Sequence, residues 1–135
     1  MSIWIFNQRD DSEYDDVEGR QYSYPRYLPN AQQVSPGDLF VYYRPKNASD
    51  IGGFFFGAGR VGALDREGGM VTAHVEDYVE LSRPVNETEL TNKPRSNQQN
   101  SINRLAAELF FDILRLGGVS PHHNRMSAEP DTPRI

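Results

Sequence analysis

The side chains in this sequence best able to do chemistry are one carboxylate and a set of aromatic rings. Asp77 falls on the apolar parity of the alternating segment 70–81, in step with Val71, Ala73, Val75, Val79 and Leu81. A carboxylate on a buried face is costly unless it is paired or hydrogen-bonded. It serves either as a structural bond to a loop backbone or an arginine, or as an acceptor for the amino group of a ligand. Acidic residues accept from the exocyclic amine of cytosine in that second way. A β-bulge that turned Asp77 outward would remove this argument from burial.

The rings are densest in Phe54-Phe55-Phe56, just ahead of Gly57, Gly59 and Gly62. If a loop between Ala63 and Met70 closes a hairpin and pairs those two residues, Phe56 stands opposite Asp77 and Ala58 opposite Val75. Arg60 then shares that face but lies too far along the strand to bond Asp77. Parity puts Phe54 and Phe56 with Arg60, and Phe55 with Gly57, Gly59 and Val61. A ring beside a partly buried carboxylate is what a stacked base, read along its edge, requires. Tyr42 and Tyr43 point to opposite faces, so at most one joins such a pocket. Tyr22, with Tyr14, Tyr24 and Tyr27, lies on preceding loops and suits a lid, because a tyrosine ring stacks while its hydroxyl stays wet. The expected base-binding set is Tyr22, Tyr42 or Tyr43, Phe56 and Asp77.

Arg20, Arg26, Arg44 and Arg60 are the expected phosphate contacts, with Lys46, Arg66, Lys93 and Arg95 as further cations. Gathered on one side they form a phosphate track; singly, each reads as a solvated surface charge. Enzyme motifs are poor. Gly57-x-Gly59-x-x-Gly62 has the spacing of a dinucleotide fingerprint, but no helix follows to receive a pyrophosphate. His74 is on the polar parity of its strand. His122-His123 lies in a polar tail that cannot hold a metal in fixed geometry. Neither a cofactor nor a metal is expected, and no catalytic residue.

The elements that must position these groups follow from composition and period. Residues 2–6 are aromatic and β-branched and read as a strand. Residues 7–19 are a polar, acidic loop. The prolines of residues 20–29 exclude a helix and disfavour a central strand, which gives an ordered loop bearing tyrosines. Ser35-Pro36-Gly37-Asp38 is a turn before a strand over 39–44, and the glycine-aromatic strand follows. A turn over 65–69 leads into the strand over 70–81, and residues 86–97 read as loop. From about Asn97 the period becomes helical, through Ile102, Leu105, Ala106, Leu109, Phe110, Ile113, Leu114 and Leu116, closed by Gly117-Gly118. The fold expected is α+β: a small curved antiparallel β-barrel with a C-terminal amphipathic helix, residues 1–119, and a disordered tail, residues 120–135.

Composition sets the bounds. A chain of 135 residues makes one domain, and its net charge of −5 argues against tight non-specific binding to nucleic acid. Much of that charge is local, in Asp10, Asp11, Glu13, Asp15, Asp16 and Glu18. With no cysteine there is no disulfide, zinc ribbon or thiol nucleophile. The apolar start, residues 1–6, lacks a signal-peptide pattern and is too short to span a membrane. A cytoplasmic protein with no membrane partner is expected.

Four segments in order carry a family resemblance: Tyr14-Asp15-Asp16-Val17-Glu18-Gly19-Arg20-Gln21-Tyr22-Ser23-Tyr24-Pro25, then Gly37-Asp38-Leu39-Phe40-Val41-Tyr42-Tyr43-Arg44, then Gly53-Phe54-Phe55-Phe56-Gly57-Ala58-Gly59-Arg60-Val61-Gly62, then Glu76-Asp77-Tyr78. The series resembles the PUA-like domains at the front of modification-dependent restriction enzymes, ahead of an HNH nuclease. It is broadly similar to the SRA, EVE and YTH domains of the same superfold. The likeness covers roughly residues 11 to 117. It implies a compact barrel that flips a modified base from a nucleic acid into an aromatic-walled pocket, and that binds without cutting. The partners implied are modified double-stranded DNA and a nuclease, fused or separate; this sequence carries no catalytic ββα-metal pattern. Two other readings stand beside it: a protein-interaction module using the C-terminal helix, and an RNA reader on the same fold.

Overall fold

The structure, a computed structural model, describes residues 1–7, 19–44, 53–90 and 102–119. Tyr14, Lys46, Lys93, Arg95, the acidic cluster of residues 10–18 and the tail 120–135 lie outside the described residues. The described residues form strands β1 (Ile3–Asn7), β2 (Gln21–Pro25), β3 (Leu39–Arg44), β4 (Phe54–Glu67), β5 (Met70–Asn86) and β6 (Ile102–Arg104), then helix α1 (Ala107–Leu116). They make one sheet in the order β2-β5-β4-β3-β1-β6. The sheet is mixed, because β1 runs parallel to β3 while every other neighbouring pair is antiparallel.

One face is aliphatic and covered by the helix. Ile5, Val41, Phe55 and Val85 pack there against Leu109, Phe110, Ile113 and Leu114. The spacing 109, 110, 113, 114 is one helical stripe, so α1 buries its apolar side on the sheet. The Gly117 carbonyl after α1 accepts from the Ser82 amide at 2.8 Å, which ties the helix end to β5.

The other face is aromatic, and the sheet curls around it. Trp4, Phe6, Phe40, Tyr42, Tyr22 and Tyr24 are fully or almost fully buried there. Although β2 is at one edge of the sheet and β1 near the other, Tyr22 stacks on Phe6 at 4.3 Å with planes 7° apart. The Tyr22 hydroxyl donates to the Asn7 carbonyl at 2.8 Å. The two ends of the sheet thus meet through side chains, and the expected α+β fold takes the form of a curled half-barrel with a C-terminal helix.

Four local expectations are corrected. The tyrosine-bearing loop contains strand β2, which prolines tolerate because it is an edge strand ending at Pro25. Ile102 belongs to β6, opposite Phe6, rather than to the helix, which begins only at Ala107. The hairpin turn is the two-residue Gly68-Gly69, with φ of 60° and 83°, so Glu67 pairs with Met70 in place of Ala63. Finally, β5 does not keep one apolar face. Arg60 pairs with Glu76 and Ala58 with Val79, so Asp77 and Tyr78 together oppose Gly59. That bulge sends Val71, Ala73 and Val75 to the aromatic face, and Val79, Leu81 and Val85 to the helix face.

Candidate functional site

A second bulge builds the site. Tyr42 pairs with Gly57 and Tyr43 with Phe55, which leaves Phe56 as the extra residue of β4. The bulge turns Phe56 to the aromatic face, with Val61, and leaves Phe55 on the helix face with Ala58. Parity alone puts Phe56 with Arg60, so the bulge overturns that grouping. Phe56 stacks on Tyr42 with centroids 5.4 Å apart and planes 9° apart, and meets Phe54 edge-on at 6.2 Å. Tyr42 is the fully buried floor, its hydroxyl accepting from the Gly19 amide at 3.2 Å.

Tyr78 is the wall that sequence reasoning missed. As the second residue of the β5 bulge it turns inward, with its ring 5.7 Å from that of Tyr42. It lies between two glycines. A Cβ on Gly57 would sit 2.7 Å from Cε1 of Tyr78, and one on Gly19 would sit 2.9 Å from Cδ2. In the sequence Tyr78 stands out only within the Glu76-Asp77-Tyr78 motif and by following an Asp, a residue type that tolerates the left-handed region; in the structure Asp77 has φ +52°.

At the rim, Phe54, Phe56 and Tyr78 are half-buried, and the Arg44 guanidinium lies over the Phe56 ring at 5.2 Å from its centroid. Burial holds Arg44 below the ordinary arginine pKa. Arg20 is exposed and directly follows Gly19, the residue against Tyr78; its carbonyl accepts from the Val75 amide at 2.8 Å. The arrangement offers flat π faces, phenol hydroxyls and a partly desolvated cation. Among the described residues no group of three or more His, Cys, Asp or Glu could hold a metal ion.

The other expected residues fall elsewhere. Asp77 is not opposite Phe56, because the short turn shifts the register and the bulge turns the carboxylate outward. Arg60, expected to be out of range, donates to Asp77 Oδ2 at 3.1 Å. Tyr43 is on the helix face, where its hydroxyl donates to Glu87 at 2.5 Å. Burial first, and that carboxylate second, push its pKa upward. Tyr22 is part of the aromatic interior, held against Asn7 as described. Arg26 is exposed, with its amide on the Gly69 carbonyl at 2.9 Å, beyond the end of β4 remote from Phe56. The structure therefore brings Tyr42, Phe56, Tyr78 and Arg44 together, with Tyr22 behind them and Arg20 next in the chain to Gly19, which backs Tyr78. His74 is on the surface, 2.6 Å from Asp65.

The buried carboxylate is Asp38, read from sequence only as part of a turn. It is 5% exposed and accepts from the Ser2 amide at 3.0 Å, the Trp4 indole at 2.9 Å and the Ser35 amide at 2.9 Å. Three donors meet the price of burying its charge, and its role is structural.

No protein-family model and no curated protein sequence matches the chain. Among solved structures, the fold is similar to a protein of Agrobacterium tumefaciens, with TM-score 0.64 and 14% identity over 98% of this chain and 99% of that one. It is also similar to the N-terminal domain of Staphylothermus marinus McrB, with TM-score 0.61 and 10% identity over 82% of this chain and 92% of that one. At such identities the likeness is one of fold: the curled half-barrel with a C-terminal helix.

Proposed function

We propose that this chain is a non-catalytic reader of DNA that accepts a flipped, modified base at the Tyr42, Phe56 and Tyr78 rings. The observation that carries the reading is the set of half-buried rings over a buried tyrosine floor, with Arg44 beside them. The order of the four sequence motifs supports it, and so does the fold likeness to the N-terminal domain of McrB. Stacking on an aromatic side chain contributes about 1–3 kcal/mol per base. Extruding a base from a duplex costs a few kcal/mol. The two nearly balance, so phosphate contacts from Arg44 and Arg20 supply the remainder. One buried methyl adds only about 0.8 kcal/mol, so selectivity for a modified base also depends on pocket shape. With Asp77 turned outward, tyrosine hydroxyls and backbone groups are the polar partners for the base edge. Cleavage is left to a nuclease partner or a fused nuclease.

Titration of duplexes with and without a single modified base, at one stated salt concentration, tests the reading. Preference for the modified duplex supports it, and equal or absent binding of both rejects it. The alternative in which the helix docks a partner has less surface to use, because α1 buries Leu109, Phe110, Ile113 and Leu114 on the sheet and leaves Phe111 as its exposed large apolar side chain.

A further inference from the structure

Two arginines mark the ends of the edge strand. The β2–β5 ladder runs on past both ends of β2: the Val75 amide donates to the Arg20 carbonyl at 2.8 Å, and the Arg26 amide to the Gly69 carbonyl at 2.9 Å. Arg20 and Arg26 are thus six extended positions apart, about 20 Å at roughly 3.3 Å per residue. Arg20 follows Gly19, which backs the Tyr78 ring, so one end of this line is at the base site. At the other end a turn, closed by the Leu28 amide on the Pro25 carbonyl at 3.3 Å, presents Arg26 and Tyr27. Tyr27 is 80% exposed, the most exposed ring among the described residues. Prolines at 25 and 29 stiffen its backbone, so little freedom is left to lose on binding. Arg66 is exposed at the same end. It pairs with Val71 and shares the parity of Leu64, which puts it on the aromatic face, where its charge acts on the Tyr24 hydroxyl. Asp65 and Glu67 take the alternate positions, toward the opposite face. Gly68 and Gly69 have only open space where a Cβ would stand, so a ligand can approach the turn backbone.

Resting on the reader reading above, we propose that Arg26, Tyr27 and Arg66 form a second contact with the DNA backbone, which grips the duplex on one flank of the flipped base. Arginine and tyrosine side chains both donate to phosphate oxygens. The guanidinium fork matches phosphate geometry, and the exposed phenol adds an uncharged donor between the two cations. A strand of duplex advances about 3.4 Å per nucleotide, so a span of about 20 Å corresponds to about six base pairs. The two sides of the modified base are thereby unequal: one flank reaches the second contact and the other does not. A chain of net charge −5 then holds DNA with few cations, set at separated points along one strand of the sheet.

Unequal flanks test the proposal. The full chain is titrated with duplexes of one length, about 20 base pairs, with the modified base central, 2 base pairs from one end, or 2 base pairs from the other. The base is whichever of 5-methylcytosine and N6-methyladenine the wild type prefers. The wild type should tolerate loss of one flank and bind about 10-fold or more weakly on loss of the other. One phosphate contact makes K fall as about the 0.9 power of salt, which is about 8-fold between 0.1 M and 1 M. Arg26→Ala and Arg66→Ala should each weaken the central duplex by about that factor at 0.1 M, flatten the salt slope by about 0.9 and shrink the difference between flanks. Tyr27→Ala should weaken it about 2- to 10-fold, one uncharged hydrogen bond, with the slope unchanged. Arg26→Lys keeps the charge and should keep the slope, which guards against a folding artefact. Arg115→Ala removes an equal charge from the helix on the opposite face and should leave the slope as it is. An equal fall of slope in Arg115→Ala would mean net charge alone and would overturn the proposal. So would wild-type binding that ignores flank length, or a Tyr27→Ala variant that binds like the wild type, as when the ring serves a protein partner instead. In each of these cases the reader reading stands. If the wild type prefers neither modified duplex to an unmodified one, the reader reading fails and this proposal with it.

Discussion

Gly57→Ala tests the geometry of the site without any ligand. The added Cβ would lie 2.7 Å from Cε1 and 2.8 Å from Cζ of Tyr78, closer than carbon atoms tolerate. The ring cannot simply retreat, because Gly19 backs it on the other side and Tyr42 stands 5.7 Å away. Nor can β4 move freely, since Gly57 is paired with both Tyr42 and Glu80. Overpacking of this kind costs about 1–3 kcal/mol. Tyr78→Ala removes the obstacle, so in that background Gly57→Ala should cost about 0.5 kcal/mol or less, and could even help by stiffening the unfolded chain. Urea unfolding of the wild type, both single variants and the double variant, followed by Trp4 fluorescence, gives the coupling. A coupling of at least about 1 kcal/mol is expected. Additive effects of the two substitutions would refute the placement of Tyr78 over Gly57.

Two further substitutions probe the interior. Asp38→Ala should destabilise by about 3 kcal/mol or more in urea unfolding, because it strands the Trp4 indole and two backbone amides, whereas Asp38→Asn keeps an acceptor and should cost less. Tyr24→Phe should be neutral or stabilising by about 1 kcal/mol, since the buried hydroxyl has no hydrogen-bond partner among the described residues. Burial raises the Tyr24 pKa to about 12, against the opposing charge of Arg66. Its unfolded value is near 10, so the unfolded chain ionises first: Tyr24 has no effect on the pH dependence below pH 10, and stability falls as pH rises from 10 toward 12. Melting curves across that window should fall less steeply for Tyr24→Phe than for the wild type.

The strand over 39–44, the glycine-aromatic first part of β4, the single helix and the curl of the sheet were legible because composition and period reach them directly. The bulges were not. Phe56 and the Asp77-Tyr78 pair each insert one residue into a ladder, and after each insertion the two-residue period points the wrong way. Asp77 therefore looked buried and is exposed, while Tyr78 looked exposed and forms a wall. The register failed for a related reason. Glu67-Gly68-Gly69-Met70 closes a two-residue turn, where a longer loop from Ala63 had been expected. The glycines were legible as a group but not in purpose: Gly57 and Gly59 leave room for the rings of Tyr78 and Phe40. Asp38 was hidden because a turn motif explains its residue type without revealing that three donors converge on it.

The central claim is that a base is held by Phe56 and its neighbours, and not by Asp77. It is tested most directly by measuring the affinity of Phe56→Ala and Asp77→Asn for a duplex carrying one modified base, beside the wild type and at one salt concentration. Phe56→Ala should weaken binding about 5- to 100-fold, the loss of one base–ring stack. Asp77→Asn, which keeps the left-handed backbone comfortable and removes only an exposed ion pair, should stay within about 2-fold. Loss of binding in Asp77→Asn with Phe56→Ala unaffected would contradict the account.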